Sequence, residues 1–223
     1  MTPPPLDILY SDNHLVAVHK PAGLATQSSA ADDDSLLART RQWIKEKYGK
    51  PGNVYLGMVH RLDRPVAGVV LFARTSKAAS RLSRQFRDNE VQKIYRACVE
   101  GIPEKTEDTL AHYLRKEKSR KATVFPRPAP DAKNSELHYR VLHTAEDKSE
   151  LEVTLKTGRF HQIRAQLSFI GHPVWGDGLY RSRYKLSDGS IRLYARQLVC
   201  THPVNGKTLS ITCPPPSDWP FAS

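Results

Sequence analysis

The sequence predicts an α+β fold in which a mixed, mostly antiparallel sheet is flanked by helices. Strand-like runs occur in hairpin pairs, and helix-like runs stand singly between them. Regular βαβ alternation is absent, which argues against a wholly parallel sheet. The 223 residues contain no internal repeat and no clear linker, so we expect a single domain over residues 1–223.

The first elements are a hairpin and a helix. Two apolar runs in ILYSDNHLVAVHK surround residues 11–14, which favour a tight turn. Residues 24–33 are small and polar and are expected to form a loop. Asp34 or Ser35 can then cap a helix that the glycine and proline near residue 50 end. Its predicted inner face consists of Leu36, Leu37, Thr40, Ile44 and Tyr48.

The middle of the chain alternates between strands and one helix. A buried strand is expected over residues 69–73, and Thr75 or Ser76 begins a helix. The inner face of that helix consists of Ala78, Ala79, Leu82 and Phe86. A strand is expected over 92–101. The polar stretch 103–134 predicts short strands or loops.

The last third adds strands around a third helix. The pattern of residues 135–158 predicts two strands joined around residues 146–148. Further strands are expected at 197–202 and 207–212. The segment RFHQIRAQLSFIGHP predicts a helix with Phe160, Ile163, Leu167 and Ile170 on one face.

Charge and composition narrow the function classes. The 34 Lys and Arg residues against 23 Asp and Glu give a net charge of +11, which suggests a polyanionic partner such as nucleic acid. No apolar run is long enough to cross a membrane, and the N-terminus does not resemble a secretory signal. The three cysteines show no C-x-x-C spacing, so we expect reduced thiols in a cytoplasmic protein.

Common phosphate-loop, dinucleotide and zinc-protease motifs are absent from the sequence. His60, His161, His172 and Asp177 could serve as metal ligands in principle, but their spacing does not match known sites. We therefore expect hydrogen-bonded structural histidines and no metal.

Asp63 lies between Arg61 and Arg64 in a turn that leads into the apolar strand 69–73. An ordinary explanation is a turn aspartate with weak surface ion pairs. However, TGRFHQIR is a second compact motif with basic and amide side chains at a helix start. KIYRA places Tyr95, a natural stacking surface for a base, in a strand with basic neighbours. These features by themselves do not identify a reaction.

The segments HRLDRPVAGVVLFART, KIYRACVEG and TGRFHQIRAQLSFIGHPVWGDGLY resemble the signature regions of the RluA-type RNA pseudouridine synthases. The opening ILYSDNHLVAVHKPAGL is similar to the start of the same family. The resemblance extends from about Ile8 to Thr212. It implies the pseudouridine synthase fold, with a central RNA-binding cleft, and an isomerase that converts a uridine of ribosomal or transfer RNA to pseudouridine.

The resemblance assigns roles by motif position. It implies that Asp63 is the catalytic aspartate and that Tyr95 and Arg164 share the catalytic site. It implies that Arg61 handles a flipped-out nucleotide. The same motifs supply the remaining substrate-binding candidates, which are His60, Arg64, His161 and Gln162.

On this interpretation, Asp63 assists cleavage of the N1–C1′ bond, and the base rotates and reattaches through C5. The carboxylate must stay ionised in a partly desolvated pocket, and Arg164 is the expected partner that favours this form. Tyr95 would stack on the uracil and could deprotonate C5. We expect no metal, no organic cofactor and a monomer.

The chain departs from the family pattern at two places. After the aspartate, family members commonly read D-R-x-[ST]-S-G, where this chain has Val66 and Ala67 in place of the two hydroxyl residues. Where many members have L-H-A, this chain has Tyr194 in place of the histidine. We expect no N-terminal S4 RNA-binding module, because the chain begins almost at the first hairpin.

Other function classes remain open at this point. The chain could be a catalytically idle RNA-binding domain, although the three catalytic candidates are intact. It could also be a nucleoside-cleaving hydrolase, although the positive charge favours a polymeric substrate. A metal-dependent nuclease would need clustered carboxylates, which the sequence lacks.

Overall fold

The computed structural model describes residues 6–28 and 34–221. Its strands, numbered in chain order, are β1 (Ile8–Ser11), β2 (Leu15–Lys20), β3 (Gly57–Met58), β4 (Ala67–Ala73), β5 (Gln92–Glu100), β6 (Glu107–Lys116), β7 (Ala122–Phe125), β8 (Lys133–Ala145), β9 (Lys148–Leu155), β10 (Leu193–Thr201) and β11 (Thr208–Thr212). Its helices are α1 (Leu36–Lys47), α2 (Ser76–Arg87) and α3 (Gln162–Phe169), with a 3₁₀ turn at Gly178–Tyr180.

The chain divides into two compact units. The first contains the described residues of Met1–Val91 and Ala195–Pro214, and the second those of Gln92–Tyr194 and Pro215–Ser223. The single domain over residues 1–223 stays a prediction. The end of the predicted 24–33 loop, from residue 29 on, and the first five residues lie outside the described residues.

The first unit is built on two buried strands. β2 and β4 pair antiparallel from Leu15 opposite Ala73 to Lys20 opposite Gly68, and every residue of β4 is buried. β1 pairs with β2, β10 lies next to β4, and β11 pairs with β10. A Cβ on Gly68, whose φ is +123°, would lie 2.4 Å from the backbone nitrogen of Ala195. Glycine is therefore required where β4 lies against the backbone of Ala195 in β10.

The helices of the first unit begin where the sequence predicts. The side chains of Ser35 and Thr75 accept hydrogen bonds from Ala38 and Ala78, which caps α1 and α2. The predicted inner positions of α1 up to Ile44 are buried. Tyr48 was wrongly placed on this face. The helix ends one residue before it, and its ring is 42% exposed.

The second unit contains an antiparallel sheet in the order β5-β9-β8-β6-β7. The predicted hairpin of β8 and β9 is confirmed. The polar stretch 103–134 holds a longer strand than expected, because ten-residue β6 pairs with β8 on one edge and β7 on the other. Hydrogen bonding on both edges stabilises a strand that the apolar pattern alone does not reveal.

The third helix starts later than its apolar pattern indicates. His161 has a left-handed backbone with a φ of 54°, so α3 begins at Gln162. Phe160 precedes the helix and stacks on the His161 ring at 3.8 Å. Ile163 and Leu167 are buried as predicted. α3 packs against β6 and β7.

The α+β class is confirmed by these strands and helices. The strand Gly57–Met58 and the 3₁₀ turn were not predicted, because each is too short to leave a periodic pattern. All three cysteines are buried and free of disulfides. Among the described residues, no helix is long and apolar enough to cross a membrane.

Candidate active site

A short loop in the first unit carries Asp63. It connects β3 to β4, and the backbone nitrogen of Val66 donates to the carbonyl of Asp63 at 3.1 Å, which closes a tight turn. Leu62 and Val66 are buried on either side, whereas Asp63 is half-buried. The neighbouring Arg61 is exposed. Two apolar anchors therefore fix a partly accessible carboxylate.

The backbone on both sides of Asp63 is held by the segment that follows β2. Thr26 Oγ1 donates to the carbonyl of Leu62 at 2.8 Å and accepts from the Leu62 nitrogen at 3.2 Å. The Gly23 nitrogen donates to the carbonyl of Arg64, and Arg64 Nε donates to the carbonyl of Gly23, both at 2.8 Å. Arg64 thus contributes to the shape of the loop, and its predicted contact with substrate stays a prediction.

Lys20 is the functional candidate that the sequence reasoning missed. Its side chain is fully buried at the end of β2, and Nζ donates to the carbonyls of Pro21 (2.9 Å), Leu24 (2.7 Å) and Arg64 (3.1 Å). Three acceptors use all three N–H groups of an ammonium. Lys20 therefore ties the strand end to the loop that carries Asp63.

The charge of Lys20 is coupled to that loop. Burial lowers the pKa of Lys20 from 10.5 to about 7, the negative charge of Asp63 opposes this lowering, and the positive charge of Arg64 adds to it. The positive charge of Lys20 and the negative charge of Asp63 therefore attract each other. The signal in the sequence was a lysine at the end of an apolar strand.

His60 links the loop to its surroundings. Its Nε2 accepts from the backbone nitrogen of Leu71 in β4 at 2.9 Å, and the imidazole stacks on Phe86 of α2 at 4.8 Å. A nitrogen that accepts carries no proton, so the ring is neutral in this arrangement. The contacts fit the expected hydrogen-bonded histidine, and its substrate role stays a prediction.

In the second unit, Tyr95 lies in the middle of β5. It is half-buried and stands opposite Val153 of β9. Alternation along the strand places it on the same face as Lys93, while Arg96 points to the other face and pairs with Glu152 at 3.2 Å. The strand thus presents an aromatic ring and a lysine side by side.

Arg164 is buried in α3, where its guanidinium contacts Asp177, His161 and the ring of Tyr180. Nε and Nη2 donate to the two carboxylate oxygens of Asp177 at 2.6 and 2.9 Å, and Nη1 lies 3.0 Å from Nε2 of His161. Because arginine only donates, that nitrogen of His161 accepts, and its Nδ1 donates to the hydroxyl of Tyr180 at 3.0 Å. His161 is therefore neutral and oriented from both sides.

Asp177 is a second residue whose role the sequence reasoning missed. It was considered only as a possible metal ligand, but it is 1% exposed and neutralises the buried Arg164. Within residues 6–28 and 34–221, no group of three or more His, Cys, Asp or Glu side chains is arranged to hold a metal ion. The sequence signal for this role was Asp177 at the end of the motif GHPVWGD, which follows the motif TGRFHQIR that ends at Arg164.

Gln162 closes the turn before α3. Its Oε1 accepts from the Arg159 backbone nitrogen (2.9 Å) and from Thr157 Oγ1 (2.8 Å), and its Nε2 donates to the carbonyl of Glu136 (3.0 Å). These bonds shape the segment TGRF around the amide. The predicted contact of Gln162 with substrate stays a prediction.

Comparison with known proteins identifies relatives over nearly the whole chain. A family model described as RNA pseudouridylate synthase matches residues 14–169. The ribosomal large subunit pseudouridine synthase D of Zymomonas mobilis is 30% identical, over 96% of this chain and 70% of that protein. The dual-specificity RNA pseudouridine synthase RluA of Haemophilus influenzae is 32% identical, over 93% of this chain and 92% of that protein.

Two further comparisons extend this result. The tRNA pseudouridine synthase C of Pectobacterium carotovorum is 34% identical, over 96% of this chain and 60% of that protein. The solved structure of human RNA pseudouridylate synthase domain containing 4 superposes with a TM-score of 0.79 at 24% identity, over 95% of this chain and 89% of that one. The predicted pseudouridine synthase fold is confirmed by that structural match.

Proposed function

This chain belongs to the RNA pseudouridine synthase family, and we propose that it isomerises a specific uridine of ribosomal or transfer RNA. The relatives named for ribosomal RNA, for transfer RNA and for dual specificity support both classes as candidates. The net charge of +11 is consistent with a polyanionic substrate. We further infer that the protein acts in the cytoplasm as a monomer, with its three cysteines as buried free thiols.

Asp63 carries the proposed chemistry. The reaction breaks the N1–C1′ bond and forms a C5–C1′ bond, while the proton on C5 is lost and N1 gains one. Uridine and pseudouridine are isomers, so the reaction has no net gain or loss of electrons and requires no redox partner. The carboxylate of Asp63 assists the departure of the base, either by attack at C1′ or through the base itself.

The observation that supports this role is the way the Asp63 loop is fixed. Thr26, Gly23 and Lys20 bind the backbone on both sides of the residue, although the loop itself has no regular structure. Fixing a reacting group before the substrate arrives lowers the entropic part of the barrier. The positive charge of Lys20 interacts with the negative charge of Asp63, which adds an electrostatic tie between the strand end and the loop.

Tyr95 and Arg164 have supporting roles in the proposal. The half-buried ring of Tyr95 would stack on the extruded uracil, and its hydroxyl would accept or pass on the C5 proton. Arg164, oriented by Asp177 and His161, would stabilise negative charge during the reaction. The exposed side chain of Arg61 would contact the flipped nucleotide.

Mapping of pseudouridine in cellular RNA tests the function directly. RNA from cells with the gene, without it, and with an Asp63→Asn copy is compared by chemical mapping. We expect at least one ribosomal or transfer RNA site that is modified only when the unaltered gene is present. Identical maps in all three strains would contradict the proposal.

A further inference from the structure

Lys93 is a buried lysine of the second unit that lies near another positive charge, that of Arg159. The side chain is only 9% exposed in β5. Burial lowers its pKa, and the positive charge of Arg159 lowers it further. Among the described residues, Lys93 forms no ion pair with a carboxylate. A desolvated charge next to a like charge is costly for a folded protein unless an anion joins them.

The ammonium of Lys93 lies beside the turn that precedes α3. A Cβ built on Gly158 would lie 3.9 Å from Lys93 Nζ, so the ammonium approaches the turn before α3 at a residue without a side chain. Arg159, the next residue, is exposed and uses Nε to donate to the carbonyl of Asn134 at 2.8 Å. That bond orients the guanidinium and uses only Nε, so the N–H groups of the two terminal nitrogens can still donate to an anion.

The position on β5 relates this pair of cations to the proposed substrate. Lys93 and Tyr95 are two residues apart on one strand, so their side chains leave the same face about 7 Å apart. This separation is on the scale of a single nucleotide. A base that stacks on Tyr95 would therefore bring a backbone phosphate within reach of Lys93.

We propose that Lys93 and Arg159 together bind one phosphodiester group of the RNA, adjacent to the uridine that Tyr95 receives. This inference rests on the proposed function. A phosphodiester carries a full negative charge and two free oxygens, so it can accept from the ammonium and from the guanidinium fork at once. The bound phosphate supplies a counter-charge that the described residues do not provide to Lys93.

RNA affinity tests the pair of residues. Lys93→Met and Arg159→Met remove each charge and keep an apolar stem, and Lys207→Met, at an exposed lysine between β10 and β11, is the control. A fluorescent oligouridylate is titrated at several KCl concentrations. We expect each single variant to bind about tenfold more weakly and to reduce the salt slope by about 0.7. The control should match the unaltered protein.

The double variant separates one shared phosphate from two independent contacts. If both residues hold the same phosphate, the double variant loses clearly less affinity than the product of the two single losses. Multiplicative losses, or single variants that bind like the Lys207→Met control, would overturn the proposal.

Stability without RNA distinguishes a binding role from a structural one. Because Lys93→Met removes an uncompensated buried charge, its melting temperature should equal or exceed that of the unaltered protein. Inorganic phosphate, used alone as a probe, should raise the melting temperature of the unaltered protein more than that of the variant. A lower melting temperature for the variant without any anion, or an equal response to phosphate, would overturn the proposal.

These readouts do not depend on pseudouridine formation. If the phosphate and oligouridylate results are as expected while no RNA site depends on the gene, the proposed function fails and the anion site stands. If the modification is present but Lys93→Met binds oligouridylate normally, only the anion site fails.

Discussion

Replacement of Lys20 by methionine separates the charge of this residue from its bulk. Methionine keeps an unbranched apolar stem in the fully buried position but removes the Lys20 hydrogen bond from three backbone carbonyls; the Arg64 carbonyl keeps only its bond from the Gly23 nitrogen. One of these carbonyls belongs to Arg64, directly after Asp63. We expect the loop to loosen, and turnover to fall about 10²-fold, the scale of a small misplacement of a reacting group. RNA affinity should stay nearly unchanged, because Lys20 is inaccessible.

The stability of the unaltered protein should depend on pH through the same residue. The pKa of Lys20 is about 7 in the folded chain and near 10.5 when unfolded, so between these values the unfolded chain holds more protons. The free energy of unfolding therefore rises with pH in this window. For a group this deeply buried, the rise between pH 6 and pH 9 is about 2–3 kcal/mol. Lys20→Met should lack this rise.

Two assays check these expectations. Urea unfolding of both proteins, followed by tryptophan fluorescence at pH 6 and pH 9, gives the pH-dependent difference. Single-turnover tritium release from [5-³H]uridine RNA gives the rate. Equal turnover of the two proteins, together with the same pH dependence of unfolding, would refute the argument that Lys20 positions the Asp63 loop.

Two further substitutions test the second unit. Asp177→Asn removes the charge from a bidentate ion pair with the buried Arg164, so we expect the free energy of unfolding to fall by about 3–5 kcal/mol. The control Asp218→Asn, which breaks an ion pair between a half-exposed carboxylate and Arg192, should cost less than about 1 kcal/mol in the same urea titration. A loss for Asp177→Asn as small as the control's would contradict the assigned pairing. Tyr95→Phe keeps the ring and should bind RNA normally but turn over about 10²–10⁴-fold more slowly. Tyr95→Ala should also weaken binding by about 1–3 kcal/mol. A Phe variant as fast as the unaltered enzyme would leave Tyr95 only a stacking role.

Local signals were sufficient for much of the fold. The hairpin of β1 and β2 and the starts of α1 and α2 depend on turn residues, caps and apolar spacing within a few positions. The motifs placed Asp63 in a loop before a buried strand and Tyr95 within a strand, as found. These features need no knowledge of the rest of the chain.

Features that depend on tertiary contacts could not be predicted in this way. The apolar pattern of α3 already begins at Phe160. The left-handed backbone of His161 delays the start of the helix to Gln162. Lysine side chains are usually exposed, so the local sequence does not indicate that Lys20 is buried. Its burial depends on three carbonyl partners that only the folded chain brings together. The pair of Arg164 and Asp177 joins residues thirteen positions apart, a separation that no helix or strand period indicates.

The most direct test of the proposed function is the single-turnover rate of Asp63→Asn on an RNA that contains the mapped uridine. Asparagine keeps the size and polarity of the side chain and removes its charge. We predict that the rate of pseudouridine formation falls at least about 10³-fold, while RNA affinity by filter binding stays close to that of the unaltered protein. An Asp63→Asn protein that forms pseudouridine at a normal rate would show that another residue carries the chemistry.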